Sequence, residues 1–203
     1  MKRYLTAFLA AAFVTVSGAA FAQSTPDAVV RSAVEGTVNA MKADPQARGG
    51  DMSRITSIVE SHFVPSTDFQ RTTRIAVGKP WSTATPQQQQ QLYQQFQQLL
   101  VRTYAASLSQ LRDQQVTFKF LPSNTAANAN DAVVQSHVIS NGGDDAIDYR
   151  LTRSAAGWKI YDINMMGAWL IQVYQTQFAD QIAKGGIDGL IKYLVDHNAR
   201  SAG

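Results

Sequence analysis

The chain has 203 residues, no cysteine, 16% charged residues and a formal net charge of +3. Without cysteine there are neither disulfides nor thiolate-held metals, so a packed core alone must hold the fold. Lys2 and Arg3 belong to a leader segment; taking them from the 18 basic residues leaves 16 against 15 acidic, a net +1, and so neutral a surface argues against nucleic acid, which is bound through clustered Lys and Arg.

That leader reads as a basic start, the apolar run "YLTAFLAAAFVTV", and Ala20-Phe21-Ala22 as an A-x-A cleavage signal. The run is short for a membrane span of ~20 residues. Residues 1–22 are therefore predicted to be a cleaved signal peptide, with the mature chain starting at Gln23 in the periplasm of a bacterium. Taking 22 from 203 leaves 181 residues, a single domain (23–203) with a sizeable core. No later apolar stretch reaches membrane-spanning length.

The first half of the mature chain predicts helices. Thr25-Pro26 is an N-cap with proline behind it, and Val30, Val34, Val38 and Met41 recur at helical spacing. A second short helix carries Ile55, Ile58, Val59, His62 and Phe63 and stops before Pro65; a third is expected from Ser66 to Val77, ended by Gly78. The strongest helix lies in "TATPQQQQQLYQQFQQLLVRTYAASLSQLRD". Thr85 and Gln88 form a capping box, and Leu92, Phe96, Leu99, Leu100, Thr103, Tyr104, Leu108 and Leu111 make one stripe. Its glutamines solvate the opposite face.

The period then changes from 3.6 to 2. "QVTFKFL", "DAVVQSHVI", "AIDYRLTR" and "WKIYDINMM" read as strands joined by turn-forming links, which predicts a four-stranded antiparallel meander in an α+β fold. On the fourth strand strict alternation sends Trp158 and Ile160 one way and Tyr161, Ile163 and Met165 the other, so both faces are expected to be covered. Two helices close the chain, Ala168 to Ile182 and Ile187 to His197.

Catalytic signals are sparse. His62, His137 and His197 lack the spacing of a zinc site, and there is neither a G-x-S-x-G elbow nor a phosphate loop. Asp144 and Asp145 sit in a turn composition. Asp162, between apolar neighbours on a strand, is the one acid placed where burial could tune it; its alternative is a structural carboxylate bonded to backbone. Apolar and aromatic residues exceed what a one-faced sheet needs, and periodicity leaves open whether they fill a core or line a cavity.

The stretches "RIAVGKPWSTATPQQQQQLYQQFQQLLVRTYAASL" and "YRLTRSAAGWKIYDINMMGAWLIQVYQTQF", with the later "GGIDGLIKYL", resemble the two signature regions of the MlaC family, also called the toluene-tolerance or auxiliary periplasmic transport family. The shared patterns are G-K-x-W before a T/S-x-x-Q capped helix ending T-Y-A-x-x-L, then Y-R-L, G-W-K-[IV]-Y-D-[IV], G-x-x-L, Y-x-x-Q-F and D-x-L-I-x-x-L. The resemblance covers most of the chain after Phe69; Ser24 to Pro65 matches only in helical character.

The resemblance implies an NTF2-like α+β body, the sheet wrapped by N- and C-terminal helices around an apolar cavity. It also implies a soluble periplasmic phospholipid carrier that needs no cofactor and is not an enzyme. Such a carrier shuttles lipid between an inner-membrane ABC transporter complex and an outer-membrane lipoprotein-porin complex, maintaining outer-membrane lipid asymmetry. Trp81, Tyr104, Tyr149, Leu151, Trp158, Tyr161, Leu170, Tyr174 and Phe178 match the family's patterns and are implied as cavity wall. Leu100, Phe118, Val134, Ile160 and Ile163, from the same stripe and strands, complete the expected lipid-binding set. Trp169 stands where the family commonly has a small Ser, and is expected to reshape the pocket; Gln175 stands where it commonly has Arg, removing a charge near the mouth. Three alternatives remain open: an NTF2-like enzyme using Asp162 and a tyrosine as acid and base, a ligand-free periplasmic adaptor, and a carrier of hopanoid or another lipid.

Overall fold

The computed structural model describes residues 24–123, 125–126, 128–141 and 143–200; the predicted signal peptide and its cleavage site lie outside the described residues. Among the described residues six α-helices and five strands follow in the order α1 (Pro26–Ala43), α2 (Pro45–Arg48), α3 (Met52–His62), α4 (Phe69–Val77), α5 (Pro86–Ser109), β1 (Thr117–Phe120), β2 (Asp131–Ser140), β3 (Gly143–Ser154), β4 (Gly157–Met165), β5 (Ala168–Trp169) and α6 (Leu170–Arg200).

The helix ends follow their capping chemistry. The Gln88 amide donates to Thr85 Oγ1 at 3.2 Å while the Thr85 amide donates to Gln88 Oε1 at 3.0 Å, the reciprocal capping box expected for α5. α4 starts three residues later than the sequence predicts, because the Asp68 carboxylate accepts from the Arg71 amide and makes Asp68 the N-cap. α5 likewise stops at Ser109, short of Asp113. α6 bends at Gly185 and Gly186, whose backbone is not helical. That is where the sequence separates its last two helices.

The strands form an antiparallel meander in sequence order, but there are five, not four. The extra strand is made by the two-residue turn Met166-Gly167, with φ of 56° and 82°, which pairs Met165 with Ala168 and Asn164 with Trp169. Two central residues with positive φ match the twist of a hairpin. Ala168 and Trp169 are thereby drawn into the sheet, and the helix begins at Leu170.

A second difference lies on β4. Arg150 pairs with Asp162 but Leu151 pairs with Ile160, so Tyr161 is an extra, bulged residue. A bulge resets the alternation of faces. Ile163 opposite Tyr149, and Met165 opposite Ile147, consequently share one face with Ile160 opposite Leu151 and with Trp158. Strict alternation had split these residues between two faces. The face toward α1 gains a continuous apolar surface; Arg150, Asp162 and Trp169 lie on the other.

Three packed groups hold the body together. α1 lies on the sheet through Val30 and Ala33, against Val134, Leu151, Trp158 and Ile160. α1, α2, α3 and α5 meet at Met41, Ala47, Ile55, Val59, Val101 and Ala105. α4, α5 and α6 close around Leu92, Phe96, Leu100, Phe178, Leu190 and Leu194. The open edge of β4 is covered by the segment entering α4: Thr67 bridges Ile160, the Asp68 amide donates to the Ile160 carbonyl at 2.7 Å, and Thr72 Oγ1 donates to the Tyr161 carbonyl at 2.6 Å. Those bonds leave this edge little free backbone for another chain.

Candidate functional site

Between this face of the sheet and helices α1, α3 and α5 lies a cleft of about 400 Å³, within the ~300–1,000 Å³ at which small ligands are usually enclosed. Its helical side is made of Val34 and Val38 of α1, Val59 of α3, Phe63, and Tyr104 and Leu108 of α5, with Leu111 beyond. Phe118, Val138, Ile147, Tyr149, Ile163 and Met165 form the sheet side, one residue in two on successive strands. Of its polar lining residues, Ser107, Gln110 and Asp145 are exposed. The cleft thus has apolar walls and a wet rim.

Val59, Phe63, Tyr104 and Ile163 are shared with a smaller chamber of about 30 Å³, further walled by Val64, Phe69, Leu100, Ile160, Tyr161 and Leu170. The β4 bulge creates this continuity, since it lets Ile160 and Ile163 face the same space. Arg71 stands over the Tyr161 ring at 4.2 Å and pairs with Asp131 at 2.8 Å, clamping the bulge from α4.

Eight of the fourteen residues expected to bind lipid meet around this space: Leu100, Tyr104, Phe118, Tyr149, Ile160, Tyr161, Ile163 and Leu170. The other six do not line it. Val134, Leu151 and Trp158 are buried in the packing of α1 on the sheet. Phe178 is fully buried, and Tyr174 half-buried, among the closing helices. Trp81 lies beside a separate shallow groove with Arg71, Arg74 and Tyr93. Neither departure from the family pattern touches the cleft: Trp169 stacks on the Arg150 guanidinium at 3.7 Å on the opposite face, and Gln175 donates to the Ile75 carbonyl at 2.9 Å. The sequence reading omitted Val34, Val38, Val59 and Phe63. Their helical stripes were visible, yet a stripe says only that a face is covered, not that space remains beneath it.

Two phenols face the interior. Burial pushes the Tyr149 hydroxyl up to about 12, and Tyr104, raised further mainly by burial, stays protonated throughout the physiological range. The Tyr104 hydroxyl oxygen is buried and has no hydrogen-bond partner among the described residues.

Asp162 borders the chamber but is fully engaged. Its Oδ1 accepts from the amides of Ile163 at 3.0 Å and Ile171 at 3.1 Å, and its Oδ2 accepts from Arg150 at 3.2 Å. It ties the bulged strand to the first turn of α6. Burial raises its pKa above the ordinary 3.8, outweighing the lowering by the Ile171 amide, Arg150 and the Ile163 amide. The folded chain therefore holds this proton more tightly than the unfolded one. The associated stability is complete below pH 3.8 and is lost as pH rises through the folded pKa. Subtracting the unfolding free energy of Asp162→Asn from that of the wild type should give a difference that falls as pH rises from there; a difference that grows would mean the Arg150 pair dominates.

Among the described residues no three His, Cys, Asp or Glu side chains gather as a metal site, and no helix is long and apolar enough to cross a membrane.

The chain is similar to known proteins. The chain is 22% identical over 199 residues to the intermembrane phospholipid transport system binding protein MlaC of Haemophilus influenzae, covering 94% of this chain and 91% of that one. It is 23% identical over 181 residues to toluene tolerance protein ttg2D of Pseudomonas putida, covering 89% and 82% respectively. The structure of a phospholipid-binding protein from Ralstonia solanacearum, solved in complex with a phospholipid, matches with a TM-score of 0.82 and 45% identity over 89% of this chain and all of the other. The MlaC protein family pattern matches residues 31–196, from within α1 to within α6, and the chain accordingly belongs to the MlaC family.

Proposed function

We propose that this protein is a water-soluble periplasmic phospholipid carrier, with an NTF2-like body, moving lipid between an inner-membrane ABC transporter complex and an outer-membrane complex and so maintaining outer-membrane lipid asymmetry. The observation that carries the reading is the apolar cleft with its polar rim, on a fold shared with a relative solved with phospholipid bound.

The physical need is plain. Exposing a methylene to water costs about 0.8 kcal/mol, so two chains of about 16 carbons cost on the order of 25 kcal/mol, and lipid does not cross water unaided. A carrier has to offer a dry cavity and then release its cargo, which requires neither metal nor covalent chemistry. Asp162, the acid that an enzymatic reading would use, has both oxygens engaged in bonds that hold the fold, which favours the carrier. A side-chain-filled adaptor has no use for the open cleft.

The test is transfer of a labelled diacyl phospholipid between donor and acceptor vesicles. The protein, its N-terminus expected at Gln23 when isolated from the periplasm, should accelerate transfer in proportion to its concentration. Vesicles that exchange lipid no faster with the folded protein than without it would overturn the reading.

A further inference from the structure

Tyr104 follows Leu100 by one turn of α5, and its ring sits where the cleft narrows into the chamber. Its hydroxyl is buried and, among the described residues, without a partner. Leaving a buried hydroxyl unpaired forfeits the bond it could make and keeps its desolvation penalty, so each such group in a folded protein calls for a reason. Phenylalanine would fill the same volume without that penalty.

Among the described residues none supplies the bond. Asp162 gives its oxygens to Arg150 and to the Ile163 and Ile171 amides, and the Tyr149 phenol is engaged with Ser136. The Tyr104 side chain is nonetheless part of the wall of both spaces.

The chemistry of the space narrows what can enter. The phenol stays protonated, so it acts as a donor. Val59, Phe63, Leu100 and Ile163 beside it offer no countercharge, and an ionised phosphate stripped of water among such side chains is strongly disfavoured. Methylene chains have no acceptor at all. The neutral acceptor that travels with acyl chains is the ester carbonyl.

Building on the carrier reading, we infer that Tyr104 is a specificity-determining residue whose hydroxyl donates to an acyl ester carbonyl of the bound lipid, so that the cavity distinguishes ester-linked from ether-linked lipids.

The experiment compares a diester phospholipid with its dialkyl ether analogue, identical in head group and chain length, binding to delipidated wild type and to Tyr104→Phe. One hydrogen bond corresponds to a preference of about 3- to 10-fold for the diester in the wild type. Tyr104→Phe should bind both lipids equally, and without lipid it should melt no lower than the wild type. Equal binding by the wild type, or a preference that survives in the phenylalanine variant, overturns the inference. So does a lowered melting midpoint of the lipid-free variant, which would show that water or protein already satisfies the hydroxyl. If neither lipid binds to folded wild type, the carrier reading itself falls and this inference with it, an outcome distinct from equal binding.

Discussion

Leu170→Glu is expected to empty the protein of lipid while leaving it folded. Leu170 is half-buried in the chamber wall with Leu100 and Ile160, at the first residue of α6. With lipid in place a carboxylate here would lie unpaired against acyl chains, a cost of several kcal/mol, and each ~1.4 kcal/mol is a factor of ten in affinity. Lipid bound per protein should therefore fall by about ten-fold or more. Without lipid the partly exposed position lets the carboxylate reach water, and the first turn of a helix favours a negative charge. Bound lipid and the thermal midpoint should be measured on the same preparation. An unfolded variant, or a folded one with its full complement of lipid, would show that Leu170 is ordinary core.

Phe96→Ala should do the reverse. The Phe96 ring is fully enclosed, meeting the rings of Tyr174 at 4.8 Å and Phe178 at 4.9 Å edge-on where α4, α5 and α6 close. None of these three side chains lines the cleft. Truncation leaves a cavity that costs about 3–5 kcal/mol, a large share of the ~5–15 kcal/mol that holds a typical domain together. At about 2–4 °C per kcal/mol for a chain of this size, the thermal midpoint should drop by roughly 6–20 °C. Lipid per folded molecule should be unchanged. Parallel loss of lipid would mean that the aromatic trio belongs to the binding wall after all, as the family resemblance implies for Tyr174 and Phe178.

The two variants divide the molecule where the sequence could not. Helical stripes and caps are local properties, so α1, α3 and α5 were legible from Val30, Ile55 and the Thr85 box, and the break near Gly185 from composition alone. The meander was legible from its short links. What escaped was non-local. Whether Met166 and Gly167 turn the chain back into a fifth strand depends on both residues taking positive φ, and methionine gives no sign of that. Whether Tyr161 bulges depends on pairing with β3 and on the clamp of Arg71. That one added residue moves Ile163 and Met165 onto the face of Trp158 and Ile160, and so decides which side has the cleft. Leu151 is implied as wall by the family's patterns and Ile163 by its strand; packing under α1 removes the first from the cleft and leaves the second in its wall.

The central claim, that this fold encloses a phospholipid, is tested most directly by mass spectrometry of an organic extract of the protein purified from the periplasm without delipidation. Diacyl phospholipid should be recovered in roughly stoichiometric amount. Well-folded protein that yields no lipid under those conditions would contradict it.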